Sequence, residues 1–173
     1  MGPLLKPPVG PGDHVIGTAD AVIEIVEYGD FQCPHCAAAH PVTKEILKVF
    51  GNQVRFVFRN FPLAESHRYA TIAAIAAEAA GLQHKYWEMH DMIFEHQASL
   101  SYDSLFELAD KLGLNRRQFE RDLQNEALSD KVESDFESGI RSGVNGTPSF
   151  FVNGNKFDGA AGDLFAMLKE SSY

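Results

Sequence analysis

The tetrapeptide Cys33-Pro34-His35-Cys36 falls where an apolar run gives way to an amphipathic one, and that junction limits the folds open to the chain. Ala21–Tyr28 is almost continuous in apolar residues, with Val22, Ile23, Ile25 and Val26, which predicts a buried strand. From Cys33 to Phe50 the residues Val42, Ile46, Leu47 and Phe50 share one helical face, Gly51 ends the pattern, and Pro41 predicts a kink. Gln53–Phe61 alternates Val54, Phe56 and Phe58 with Arg55, Val57 and Arg59, a second strand. A strand, a helix and a strand in that order imply a parallel pair joined by a right-handed crossover.

The rest of the chain completes a sheet around an insertion. Residues 65–142 read as helices: an Ala-rich one ending at Gly81, pieces carrying Trp87, Met92 and Ile93 and then Leu105, Leu108 and Leu112, and two more. Ser101–Asp103 and Asn115 are expected N-caps. Val144–Asp158 returns to strand character, and Phe150-Phe151-Val152 runs into Asn153-Gly154, a strong hairpin signal. Gly162–Glu170 predicts a short helix with Leu164, Phe165 and Leu168 inward. The expected class is α/β, with a four-stranded mixed sheet from residues 17–64 and 143–173, a helical insertion over 65–142, and an extended Pro- and Gly-rich lead-in over 1–16.

Charge and hydropathy exclude several functions. The chain has 24 acidic and 15 basic residues, a formal charge of −9, which argues against nucleic acid as a partner. The longest apolar run, Ile72–Ala80, is interrupted by Glu78, so no membrane insertion is predicted. Met1–Pro11 lacks the apolar stretch of a signal peptide. That predicts a cytoplasmic location for the chain as written, and a periplasmic one if a leader precedes it.

Cys33 and Cys36 are the two cysteines of the chain, so a disulfide framework is excluded and their chemistry is local. The thiolate is the nucleophile of thiol–disulfide exchange. At a helix N-terminus, Cys33 meets free backbone N–H groups and the positive end of the dipole, which favour a negative sulfur. Pro34 suits the first helical turn, and Cys36, one turn on, is placed to attack a mixed disulfide. His35 adds a donor, and at times a charge, beside the sulfur. The same spacing could be half of a zinc site, but no second cysteine pair exists. His84, His90 and His96 step about 240° apart on a helix and share no face, so no metal site is predicted.

The segments Ile25–Cys36, Arg59-Asn60-Phe61-Pro62-Leu63, Tyr86-Trp87-Glu88-Met89-His90-Asp91 and Gly143–Gly154 together resemble the DsbA-like thiol oxidoreductases of the thioredoxin superfamily. The likeness is greatest to a bacterial subgroup that also occurs fused to sodium/proton antiporters. It implies a thioredoxin fold with a helical insertion, Cys33 as exposed nucleophile, Cys36 as buried resolving thiol, and Pro148 as the cis-proline facing them. Thr147 would lend its backbone to an extended substrate peptide. Glu27, six residues before Cys33, stands where the family places a buried acid that assists proton transfer. Period-two counting sets Glu27 on the face opposite Tyr28, and a carboxyl there should have a raised pKa and take the Cys36 proton. Glu24 falls on the other face and should be solvated, and Asp30 should close the turn. Tyr86, Trp87 and Phe94 are expected to pack the insertion rather than line a groove, and His40 and His67 to lie on the surface. The resemblance implies no cofactor beyond the redox-active sulfurs. The partners it implies are protein or peptide thiols and disulfides, and a separate electron-transfer partner. Rival expectations are a redox-gated peptide-binding module and a small-molecule glutathione transferase or isomerase of the same fold.

Overall fold

The computed structural model describes residues 2–171. Five strands and seven helices follow the chain as β1 (His14–Ile16), β2 (Ile23–Gly29), α1 (Pro34–Phe50), β3 (Val54–Asn60), α2 (Ala70–Gly81), α3 (Tyr86–Glu95), α4 (Tyr102–Lys111), α5 (Arg116–Asp122), α6 (Glu126–Arg141), β4 (Ser149–Val152), β5 (Asn155–Phe157) and α7 (Ala161–Ser171). Helix α1 runs to Phe50 with Pro41 inside it, as its apolar face predicts. Ser101 and Asn115 cap α4 and α5 as expected, and Asn125 caps α6.

The sheet runs β1-β3-β2-β4-β5. Strands β2 and β3 are parallel, with Ile25 opposite Phe56 and Glu27 opposite Phe58, while β4 and β5 form an antiparallel hairpin beside β2. Asn153 and Gly154 both take positive φ, 49° and 83°, as a two-residue hairpin turn of this twist requires. The sheet is five-stranded, not four-stranded. The lead-in supplies β1, which pairs antiparallel with β3 and sets Val15 opposite Val57. Three residues are too few to show a period, and a long-range ladder holds them. His14 of β1 also stacks on Tyr86 at 3.5 Å and bonds Glu78 at 2.8 Å, tying the sheet edge to α2 and α3.

Alternation along the central strands separates two cores. Ile23, Ile25, Phe56, Phe58 and Phe150 join Cys33, Cys36 and the helices of the insertion in the larger one. Val26, Tyr28, Val57 and Phe151 meet Phe61 and Phe136 in the smaller one. On that second face Arg59 donates to both oxygens of Asp13 at 2.8 and 2.9 Å and to the Tyr28 hydroxyl at 2.9 Å. The Asn60 backbone and side chain both donate to Asp135 Oδ2, at 3.0 and 2.9 Å. The Arg59-Asn60 segment is thus a structural lock between β3, the lead-in and α6.

Candidate active site

Strand β2 ends at Gly29, and four residues turn the chain into α1. The Cys33 N–H donates to the Asp30 carbonyl at 3.1 Å, and the Cys33 carbonyl accepts from Cys36 and Ala37 at 3.0 and 3.1 Å. Cys33 is the N-cap with extended backbone, and Pro34 takes the first helical position, where an N–H would have no helical partner. Asp30 is the hub of the turn. Its buried carboxyl accepts from the N–H groups of Gln32 at 2.7 Å and Leu63 at 2.9 Å and bonds His67 Nδ1 at 2.7 Å. Its own N–H points at Cys36 Sγ, 3.4 Å away. The turn-closing role expected of Asp30 is what the structure shows; His67 is its half-buried partner rather than a surface residue.

The insertion grips the same turn from outside. Gln97, in the 3-10 turn after α3, donates through Nε2 to the carbonyls of both Phe31 and Cys33 at 2.9 Å. Gln32 Oε1 accepts the Tyr69 N–H at 2.6 Å. Sequence reasoning missed Gln97 and His67. Their contacts lie 64 and 37 residues away in the chain, and no local pattern marks them.

Both thiols are free, and their surroundings differ. Cys36 has no exposure and Cys33 retains 5%. Cys33 is therefore not the exposed residue the resemblance implies: the Thr147 carbonyl lies 3.7 Å from its Sγ and leaves a sliver of access. Hydrogen bonding from Cys36, opposed by burial and helped by Thr147 and the backbone N–H groups of Cys36 and His35, brings the Cys33 pKa down to about 5. The same sulfur–sulfur hydrogen bond, burial and the Glu27 charge push the Cys36 thiol far up. Glu27 is buried on the Cys36 side of the sheet, its Oε2 without a hydrogen-bond partner among the described residues. Burial first, and the Cys33 charge second, push its pKa up to about 8. Gly29 keeps that space open, since a Cβ there would sit 2.8 Å from Glu27 Oε2 and 2.5 Å from the Phe58 ring. Glu24, on the opposite face, is ion-paired with Arg55.

A groove of about 370 Å³ lies between the first turns of α1 and the Thr147–Pro148 loop, lined by His35, Ala38, Val42, Thr147, Pro148 and Gly159 among others and by neither thiol. Thr147–Pro148 is cis, as the resemblance implies. Pro34 and His35 are exposed, His35 lines the groove, and its backbone N–H bonds the Cys33 sulfur. Tyr86 and Phe94 are buried and Trp87 packs against the core, as expected of insertion residues. A larger cavity of about 570 Å³ lies between residues 62–66 and α6. No helix among the described residues is long and apolar enough to cross a membrane.

A mixed sheet of this order, with a pair of thiols where a central strand enters its helix, defines a thioredoxin-like protein. Residues 10–165 match the family model described as Thioredoxin, and the chain belongs to that family. It is 43% identical over 157 residues to the Na(+)/H(+) antiporter NhaA 1 of Salinispora arenicola, covering 90% of this chain and 24% of that one. A second relative, the antiporter NhaA of Herminiimonas arsenicoxydans, is 39% identical over 171 residues, with 97% and 27% covered. The chain thus spans about a quarter of the length of these curated relatives. Among solved structures, a thioredoxin-like oxidoreductase from Silicibacter pomeroyi superposes with a TM-score of 0.79 at 25% identity, covering 94% and 93% of the two chains. Oxidised BdbD from Bacillus subtilis gives 0.83 at 24%, covering 99% and 96%, and shows the shared fold.

Proposed function

We propose that the chain is a protein thiol–disulfide oxidoreductase that works through a mixed disulfide between Cys33 and its substrate. The observation that carries this reading is the split acidity of two thiols one helical turn apart, Cys33 down to about 5 and Cys36 pushed far up. In the oxidising direction a substrate thiolate attacks Cys33 Sγ of the Cys33–Cys36 disulfide. The S–S bond breaks, and Cys36 leaves and takes a proton from Glu27. A second substrate thiolate then attacks the substrate sulfur of the mixed disulfide and expels Cys33 as a thiolate. The substrate has lost two electrons, and the pair Cys33 and Cys36 has gained them. In the reducing direction Cys33 attacks first, and the Glu27 carboxylate takes the Cys36 proton as Cys36 attacks Cys33. No further cofactor is required, because the two sulfurs carry the electrons.

Acidity favours the oxidising direction. A thiol that ionises two units below pH 7 stabilises the reduced protein by about 3 kcal/mol, or about 60 mV for two electrons. The groove at Thr147 and Pro148 would seat an extended peptide, with His35 in its wall. Insulin reduction and peptide oxidation test the reading. Cys33→Ser should abolish turnover, and Cys36→Ser should accumulate a substrate adduct visible by mass. An unchanged rate in Cys33→Ser would overturn it.

A further inference from the structure

One turn past Cys36, α1 and α3 face each other with five ionisable side chains: His40 and Lys44 from α1, and His90, Asp91 and Glu95 from α3. His40 Nε2 lies 3.1 Å from Glu95 Oε2 and 4.0 Å from Asp91 Oδ1, and His90 Nδ1 lies 2.9 Å from Asp91 Oδ1. The ligand atoms of His40, His90 and Asp91 are all within 4.8 Å of one another. Tetrahedral ligands at zinc bond lengths of about 2.0–2.1 Å stand about 3.3 Å apart. The observed separations bracket that value. Both imidazoles are buried, contrary to the surface position expected for His40, while Asp91 is half-buried and Glu95 exposed, which leaves an entry for an ion.

We propose that His40, His90 and Asp91 form a divalent-metal site suited to zinc, which the exposed carboxylate of Glu95, 3.1 Å from His40 Nε2, would turn in to complete. Two imidazoles with carboxylates make a borderline donor set that fits zinc, whereas calcium and magnesium call for oxygen ligands throughout. Lys44 Nζ lies 3.1 Å from Asp91 Oδ2 and 3.8 Å from Glu95 Oε2. It would keep Asp91 Oδ2 and so aim Oδ1 at the ion, in the way outer-shell donors orient carboxylate ligands. Being exposed, Lys44 is free to move off Glu95 as the ion arrives. The rival for the same contacts is a purely ionic clasp between α1 and α3. His90 is ill suited to that role, because it is buried among the rings of Phe31, Phe58, Trp87 and Phe94. Sequence spacing predicts no metal site because it compares histidines along one helix, and these ligands come from two. A bound ion would pin the helix that carries Cys36 to the insertion without using either thiol.

Calorimetric titration of zinc chloride into the full chain tests this, with Cys33 and Cys36 held as their disulfide so that neither competes. The expected result is one zinc per chain at micromolar affinity or tighter, with no heat from calcium or magnesium at the same concentration. His40→Gln and Asp91→Asn should each weaken zinc at least tenfold. Circular dichroism verifies that each variant is folded, and Glu95→Gln, at an exposed carboxyl, repeats the test if one is not. No zinc binding by the wild-type chain below millimolar concentration would overturn the proposal. Equal affinity in all folded variants would overturn it too, moving the ion to exposed histidines such as His84 or His96.

Discussion

Replacing Glu27 by Gln removes a carboxyl whose pKa burial and the Cys33 charge push up to about 8. In the unfolded chain the same group titrates near 4.5. Between those values the folded protein holds a proton that the unfolded chain has released. Stability therefore falls as pH rises, by about 1.4 kcal/mol per unit, and the loss levels off above pH 8. At pH 7 the interval from 4.5 is about 2.5 units, a penalty of about 3 kcal/mol that Gln does not carry. Cys33 works in the opposite sense. With a folded pKa of about 5 against 9.0, it adds stability as pH rises from 5 to 9. In the reduced wild-type protein the two effects offset, so stability should change little between pH 5 and 8. The reduced Glu27→Gln protein should match wild type near pH 4 and exceed it by about 3 kcal/mol at pH 7. At 2–4 °C per kcal/mol for a chain of this size, Tm should rise by roughly 6–12 °C. Urea unfolding of both reduced proteins from pH 4 to 9 is the assay. Turnover should fall by about 100-fold in the variant, since Cys36 loses its proton acceptor. Parallel stability curves, or a variant less stable than wild type at pH 7, would refute the reasoning.

Gln97→Ala removes two N–H···O bonds from the active-site turn, and at about 1 kcal/mol each should lower Tm by roughly 4–8 °C; an unchanged melt would contradict the clamp. Gly29→Ala forces a methyl against the Phe58 ring and Glu27 and should destabilise by about 1–3 kcal/mol in urea unfolding, an effect absent if that space is not packed as described. His67→Ala takes a donor from the buried Asp30 carboxyl and should destabilise by about 1–3 kcal/mol, with His67→Asn recovering much of it; equal stability of the two variants would show that His67 does not serve Asp30.

The parts of the fold with strong local periodicity were legible in the sequence. Strands β2 and β3, helix α1 and the Asn153-Gly154 hairpin each show their pattern within a few residues. Period-two counting also set Glu27 on the face it occupies, because a strand buried on both sides still alternates. Strand β1 was not legible, since His14–Ile16 is held by pairing with β3 and by the His14 contacts to Tyr86 and Glu78. The site follows the same division. The thiol pair, Asp30 and Glu27 announce themselves near one turn of chain. Thr147, whose carbonyl covers Cys33 from 114 residues away, was reached only through the family resemblance, while the Gln97 amide that clamps the turn from 64 residues away is brought in by tertiary packing alone.

Equilibration of the chain with glutathione redox buffers at pH 7, quenched in acid and read by mass after alkylation, tests the redox centre most directly. The Cys33 thiolate predicts one reversible Cys33–Cys36 disulfide whose potential lies about 60 mV above that of a pair whose thiol ionises near pH 7, as in thioredoxin, which is close to −270 mV. A pair that stays reduced at every glutathione ratio, or one whose potential falls below about −270 mV, would contradict it.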